Sequence, residues 1–74
     1  MGEMRIMSTL GDTKVIWDPK NEDETEAAED QFNALLDKGF KAFKVKKDGK
    51  QGINVKNFNE NEGMYILAPP LAGG

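Results

Sequence analysis

Two residue types that often carry chemistry, cysteine and histidine, are absent from this 74-residue chain. Without cysteine there is neither a disulfide framework nor a thiolate metal site. Without histidine the chain lacks the commonest general base and the commonest metal ligand. Acidic pairs remain available for catalysis, but so short a chain offers little cleft in which to shift their pKa values. We therefore expect a protein that is not an enzyme and that holds no metal and no cofactor.

Long apolar runs are also absent. The longest, Met64 to Ala68, is far shorter than the roughly 20 residues that cross a bilayer as a helix. The first residues have neither the basic nor the apolar region of a signal peptide, so we expect a cytoplasmic protein with no membrane partner. The net charge of -3 argues against nucleic acid as a partner. A chain of this length forms one domain, and we expect it to be a monomer.

The stretch from Arg5 to Asp18 has the pattern of a β-hairpin with a turn at Gly11-Asp12. Pro19 ends the second strand because proline has no N–H to donate to a neighbouring strand. The single tryptophan, Trp17, has two interpretations: a stacking platform for a ligand, or a core residue. A lone tryptophan in a small chain is more often part of the core, and we predict the core position.

A helix is predicted from Asn21 to Lys38. Asn21 can cap it, with Glu24 three positions later as the partner in a capping box. Acidic residues fill the first turn, where the helix dipole favours negative charge. Lys38 lies in the predicted last turn and Gly39 provides the left-handed stop. One apolar stripe recurs at helical spacing, in Ala28, Phe32, Leu35 and Leu36.

Three further strands are predicted after the helix. Phe40 to Lys46 and Gln51 to Phe58 are joined by a turn centred on Asp48-Gly49, a sequence typical of two-residue hairpin turns. Met64 to Ala68 is apolar enough to lie centrally in a sheet, and Pro69-Pro70 ends it. Each hairpin strand has an apolar pair on one face, namely Phe43 with Val45 and Ile53 with Val55.

This order, ββαβββ, predicts an α+β fold in which one helix packs across one face of a mixed sheet. The last eleven residues read Met-Tyr-Ile-Leu-Ala-Pro-Pro-Leu-Ala-Gly-Gly. They resemble the ends of ubiquitin-like β-grasp proteins, namely the prokaryotic sulfur carriers and the small archaeal modifiers. The sulfur carriers include the small subunit of molybdopterin synthase and the thiamine sulfur carrier. The resemblance implies a β-grasp domain over residues 1–70 and a flexible tail over residues 71–74.

The resemblance also implies a function for the tail. A ubiquitin-activating-type adenylating enzyme, using ATP, would activate the Gly74 carboxylate and pass it to target protein lysines or to a sulfur-accepting synthase. Gly73 has no Cβ to obstruct a narrow channel, and Leu71 and Ala72 would form part of a leash that the enzyme binds. The chemistry requires Gly74 to be the terminal residue, and the sequence ends there.

Charge is segregated along the chain. Residues 20–37 contain seven acids and one lysine, whereas residues 38–56 contain seven lysines and one acid. One interpretation is two interaction faces, with the basic hairpin steering toward an acidic partner or nucleic acid. Lys44 and Lys46 of this hairpin would then be a docking site for an activating enzyme. The commoner interpretation is a solvated helix surface together with lysines that protect edge strands from aggregation.

A different class of function is kept as an alternative. In it the chain is a small non-catalytic interaction domain, such as one encoded by a virus or mobile element, and its Gly-Gly end is incidental. It would bind a partner through the lysine-rich hairpin or through an exposed apolar patch of the sheet.

Overall fold

The computed structural model describes residues 1–8, 10–45 and 52–70. Within them the α+β prediction is confirmed, since a single helix packs against a five-stranded mixed sheet. The elements are β1 (Gly2–Ile6), β2 (Thr13–Trp17), α1 (Glu22–Asp37), β3 (Lys41–Lys44), β4 (Ile53–Val55) and β5 (Met64–Ala68). The predicted turn at Asp48-Gly49 and the predicted tail over residues 71–74 lie outside the described residues. In the part of the chain that is described, no helix is long and apolar enough to cross a membrane.

The strands lie in the order β2-β1-β5-β3-β4. The middle strand, β5, is parallel to its neighbour β1, and each of the other neighbouring pairs is antiparallel. The prediction that Met64–Ala68 is a central strand is confirmed, with the same bounds. Its apolar composition suits a strand that has a neighbour on both sides.

The first strand begins earlier than predicted. The hairpin was expected to start at Arg5, but β1 starts at Gly2, which pairs with Trp17 of β2. Met4 and Ile6 alternate into the core, and continuing that alternation by two residues places Gly2 under the Trp17 indole. The sequence pattern missed this because a glycine is a poor strand former when judged locally.

The helix begins at its predicted cap. The Asn21 side chain accepts a hydrogen bond from the Glu24 backbone N–H at 3.2 Å. The Glu24 carboxylate in turn accepts from the Asn21 side-chain amide at 2.9 Å and from the Asp18 backbone N–H at 3.1 Å. The cap therefore ties the end of β2 to the first turn of α1.

The helix ends one residue earlier than predicted, because Lys38 is its cap and not part of its last turn. Gly39 follows with φ +95° and donates its N–H to the Leu36 carbonyl at 2.9 Å, while Phe40 donates to the Leu35 carbonyl at 3.0 Å. These two bonds are those of a Schellman motif, which favours glycine at the left-handed position. The stop predicted at Gly39 is confirmed.

The strands β3 and β4 are shorter than predicted. Val45 lies beyond β3, although its N–H still donates to the Met64 carbonyl at 3.0 Å, and Phe58 lies beyond β4. Phe58 instead turns inward and packs against the core. A local pattern of apolar residues cannot distinguish a continuing strand from a loop whose aromatic side chain fills the core.

The core lies between α1 and the helix-facing side of the sheet. Its predicted helix stripe is confirmed, with three residues buried and Leu36 packed at the margin. Buried side chains come from every strand except β4, whose Val55 packs against the cluster. The core consists of Met4, Ile6, Trp17, Ala28, Phe32, Leu35, Ala42, Tyr65 and Leu67.

Candidate functional site

The point at which the chain leaves the sheet is well defined. β5 ends at Ala68, and because β1 is parallel to β5, the loop after β1 lies at the same end of the sheet. Met7 links the two, since its N–H donates to the Leu67 carbonyl at 2.9 Å. On the other side, Pro70 lies next to Gly39 at the end of the helix. The Pro70 Cβ is 3.5 Å from the position that a Cβ on Gly39 would occupy. The chain after β5 therefore departs from a fixed point.

The predicted carrier residues follow this point. Leu71, Ala72, Gly73 and Gly74 lie outside the described residues, so their predicted roles stay predictions. Pro69 and Pro70 are both exposed, which places the start of the last four residues at the surface of the domain. Four residues can span at most about 14 Å.

Apolar side chains also lie at this end of the sheet. In the loop between β1 and β2, Leu10 is 99% exposed and Met7 is 45% exposed. The Ser8 hydroxyl donates to the Gly11 carbonyl at 2.6 Å and accepts from the Leu10 N–H at 3.2 Å. The exposed Met7 and Leu10 therefore lie beside the point where β5 ends.

The side of the sheet away from the helix forms a second feature, here called the open face. Residues next to the core positions along each strand point to this side. Its centre is apolar and half-buried, with Ile66 of β5 paired between Arg5 of β1 and Phe43 of β3. The open face consists of Glu3, Arg5, Lys14, Ile16, Lys41, Phe43, Asn54, Met64, Ile66 and Ala68.

The open face is basic, although the whole chain is acidic. It has three cations and one acid, Glu3, which pairs with Arg5 at 2.7 Å and lies 3.9 Å from the Lys14 ammonium. The outer surface of the helix has the opposite charge, because the seven acids of residues 20–37 are all exposed. The open face and the outer surface of the helix therefore carry net charges of opposite sign.

The lysines of residues 38–56 do not form the single basic face that their sequence spacing suggested. Of the four described ones, Lys38 caps the helix, Lys41 lies on the open face, Lys44 lies on the helix side of the sheet, and Lys56 is exposed directly after β4. The alternation of a strand sends neighbouring residues to opposite faces, and a count of charge along the sequence does not see this. Lys46 lies outside the described residues.

Lys44, predicted to bind a partner, is half-buried and lines an open groove of about 640 Å³ between α1 and the segment that joins β4 to β5. The groove also contains Glu29, Glu60 and Glu62, so its charge is mixed. The structure therefore separates Lys44 from the basic open face. Sequence reasoning missed Ile66, Phe43 and Leu10 as surface candidates, although alternation against the core positions marks the first two.

Trp17 is a core residue, as predicted. It is fully buried, and its indole N–H donates to the Glu60 carbonyl at 3.0 Å. Its ring centroid lies 5.0 Å from that of Phe58 and 6.3 Å from that of Tyr65. The interpretation of Trp17 as a stacking platform for a ligand is wrong, because the other aromatic rings already occupy its surroundings.

Tyr65, which belongs to the same aromatic cluster as Trp17 and Phe58, forms hydrogen bonds with the segment after β4. Its phenol oxygen accepts a hydrogen bond from the Asn59 N–H at 2.8 Å, and its hydroxyl lies 3.4 Å from the Asn59 carbonyl, to which it donates. Burial raises the pKa of Tyr65; the Asn59 N–H opposes this by stabilising the phenolate, and the negative charge of Glu62 adds to the rise. The folded state therefore favours the neutral phenol of Tyr65 over the phenolate.

This raised pKa predicts a loss of stability in alkali. Above the ordinary tyrosine pKa of about 10, the unfolded chain releases the proton of Tyr65 while the folded chain retains it, so the free energy of unfolding falls as pH rises. The fall is at most about 1.4 kcal/mol per pH unit. Urea unfolding of the wild type and of Tyr65→Phe, followed by Trp17 fluorescence across this range, measures it. Tyr65 is the only tyrosine, so Tyr65→Phe also serves as the control for lysine titration. Parallel pH curves for the two proteins would contradict the prediction.

Comparison of the chain with models of protein families, with curated proteins and with solved structures finds no match. Among residues 1–8, 10–45 and 52–70, no group of three or more acidic side chains could hold a metal ion. The candidate site is thus the exit of β5 together with the loop and the open face beside it.

Proposed function

We propose that this chain is a ubiquitin-like β-grasp protein that serves as a small modifier or sulfur carrier, activated at the Gly74 carboxylate by an adenylating enzyme. One observation carries the proposal. The strand that precedes Gly73-Gly74 is central in the sheet, and the chain leaves it at a surface point held between the β1–β2 loop and the helix end. The arrangement β2-β1-β5-β3-β4 with one helix across one face resembles the β-grasp fold that the sequence predicted.

The chemistry requires a free carboxylate on Gly74, either as the chain end or after removal of later residues by a protease. A carboxylate oxygen attacks the α-phosphorus of ATP on the partner enzyme, forming an acyl adenylate and releasing pyrophosphate. A hydrosulfide ion then displaces AMP to give a thiocarboxylate, or a lysine amine displaces AMP and loses a proton to give an amide. Two successive glycines allow the end of the chain to enter a narrow channel of the enzyme, because neither residue has a Cβ.

The open face is the surface that fits the adenylating enzyme. Its apolar centre around Ile66 and Phe43 adjoins the β5 exit, and its cations would pair with acidic groups of the enzyme. Binding there would hold the domain while the last residues, with a reach of about 14 Å, enter the active site. The acidic helix surface faces away and stays free for other contacts.

Intact-mass spectrometry of the protein purified from its native cells, without a C-terminal tag, tests the proposal. We expect either the mass of a thiocarboxylate or lysine peptides that carry a Gly-Gly remnant. Gly74→Ala and a one-residue extension beyond Gly74 should abolish both products. Gly63→Ala is a matched control, because a Cβ there meets nothing within 4 Å, and it should leave them unchanged. Products that persist in the extended variant, or none in the wild type under several growth conditions, would overturn the proposal.

The alternative function, a non-catalytic interaction domain, has one observation in its favour. Half-buried Phe43, Met64 and Ile66 give the open face an apolar centre that suits a partner irrespective of any tail chemistry. In that case deleting Gly73 and Gly74 should leave partner binding unchanged, whereas Ile66→Asp should weaken it.

A further inference from the structure

A second surface lies on the helix side of the sheet, at the edge formed by β4. The helix lies closest to β2, at the opposite edge, so it leaves the helix side of β3 and β4 partly uncovered. An apolar groove of about 320 Å³ opens there between the end of α1 and β4. Its lining residues are Leu36, Phe40, Lys41, Ala42, Asn54, Val55 and Lys56.

The groove has an apolar floor. Leu36, Phe40 and Val55 are each only partly buried, although all three pack against the core. Partly exposed apolar side chains that meet in a concave site gain free energy when a further apolar side chain covers them. The floor is therefore suited to one large aliphatic or aromatic side chain of a ligand.

The charged residues that line the groove are both lysines. Ala42 of β3 pairs with Val55 of β4 on the helix side of the sheet. Continuing this antiparallel register by one position places Lys41 opposite Lys56 on the other side of the sheet, so the two lysines border the groove where it meets the open face. Like charges directly opposite each other across two strands repel. Among the described residues, no acid lines the groove and neither lysine has an ion-pair partner. A carboxylate bound between them would relieve the repulsion.

The strand beside the groove can also pair with a peptide. β4 is an edge strand, and none of the described strands pairs with its outer side. Backbone N–H and C=O groups on such an edge can extend the sheet by one strand of another chain. The β4 edge lies next to the apolar floor and to the lysine pair. One extended segment can therefore contact all three features.

We propose that this groove binds an extended acidic segment of a partner protein, which adds a strand along β4. One apolar side chain of the segment lies on Leu36, Phe40 and Val55, and a neighbouring carboxylate lies between Lys41 and Lys56. This binding site lies at the β4 edge of the sheet, where it shares Lys41 with the open face, and it does not depend on the Gly-Gly chemistry. The chain would thus hold a second partner at the β4 edge of its sheet.

The test uses a synthetic extended peptide of about six residues that alternates leucine with aspartate, titrated into the full chain. Amide chemical shifts in nuclear magnetic resonance spectra should change at Leu36, Phe40, Val55 and Lys56. Binding should weaken with added salt, and the same peptide with lysine in place of aspartate should not bind. Shift changes confined to the open face, or no binding at about 1 mM peptide, would overturn the proposal.

Reversing the charge of the two lysines tests whether they bind the aspartates of the peptide. We expect the double variant Lys41→Glu, Lys56→Glu to weaken binding by about tenfold or more. The matched control is Lys14→Glu, Lys20→Glu, which makes the same change in net charge at exposed residues outside the groove, and it should retain most of the affinity. Circular dichroism checks that both variants are folded. Equal losses in the two variants would show a general charge effect and contradict the site.

Deletion of residues 71–74 distinguishes a partner segment from this chain's own last residues, which include Leu71. The proposal expects the peptide affinity to be unchanged. A clear gain in affinity on deletion would mean that the chain's own end competes for the groove, and it would overturn the assignment to a partner protein. Gly74→Ala, which blocks the proposed activation, should leave peptide binding intact, so failure of one proposal is distinguishable from failure of the other.

Discussion

Replacing Trp17 by alanine is expected to lower the free energy of unfolding by about 3–5 kcal/mol. Trp17 is fully buried and contacts the rings of Phe58 and Tyr65, so alanine leaves a large cavity at the centre of the core. The change also leaves the Glu60 carbonyl without the indole N–H that it binds, which costs about 1 kcal/mol more. The total free energy of unfolding of a domain of this size is on the order of 5 kcal/mol.

The Trp17→Ala protein should therefore be largely unfolded at room temperature. Far-UV circular dichroism, with urea titration of any folded fraction, measures this without needing tryptophan fluorescence. Ile16→Ala is the matched control in the same strand, because Ile16 is 52% exposed on the open face, and it should cost less than about 1 kcal/mol. A Trp17→Ala protein that unfolds cooperatively at the wild-type urea concentration would contradict the core assignment.

Replacing Gly2 by alanine is the second change with a large expected effect, although it adds only one methyl group. The Trp17 indole packs directly on the Gly2 backbone, and a Cβ at Gly2 would overlap several atoms of that ring. The ring cannot move away freely, because it lies among other buried aromatic rings and its N–H is bonded to Glu60. We expect Gly2→Ala to lower the free energy of unfolding by about 1–3 kcal/mol through overpacking.

Gly63→Ala is the control for the Gly2 substitution. A Cβ at Gly63 meets nothing within 4 Å, so the change should be neutral or slightly stabilising through the unfolded state. Urea unfolding of both variants by Trp17 fluorescence gives the comparison. Trp17→Phe should relieve part of the overlap, so the double variant should be less destabilised than the sum of the two single changes. Equal stabilities of Gly2→Ala and Gly63→Ala would show that the contact is absent.

Several elements follow from short-range signals that the sequence displays directly. The α1 cap at Asn21 and the stop at Gly39 depend on hydrogen bonds between residues only a few positions apart. The apolar spacing of the helix stripe and the apolar run of β5 depend on one element alone. For these the periodicity and the turn chemistry suffice, and the bounds of β5 are the predicted ones.

Tertiary structure decided the features that involve distant residues. Gly2 is a strand residue because Trp17, fifteen positions later, needs the space that a missing Cβ leaves. Phe58 reads as a strand residue locally, but it leaves β4 to fill the aromatic core. A sequence pattern scores each segment by itself, and it cannot know which cavity another segment leaves open.

The amino-acid sequence by itself determined the α+β class, the capped helix, the central last strand and the Gly-Gly motif on which the proposed function depends. Only the tertiary structure decided which surfaces those elements form. It separated Lys41 from Lys44 by the alternation of one strand, brought Lys41 and Lys56 to the lining of one groove, and placed Ile66 beside Phe43. The physical reason is that strand pairing joins residues far apart in the chain, and a shift of register by one residue would send every side chain to the other face.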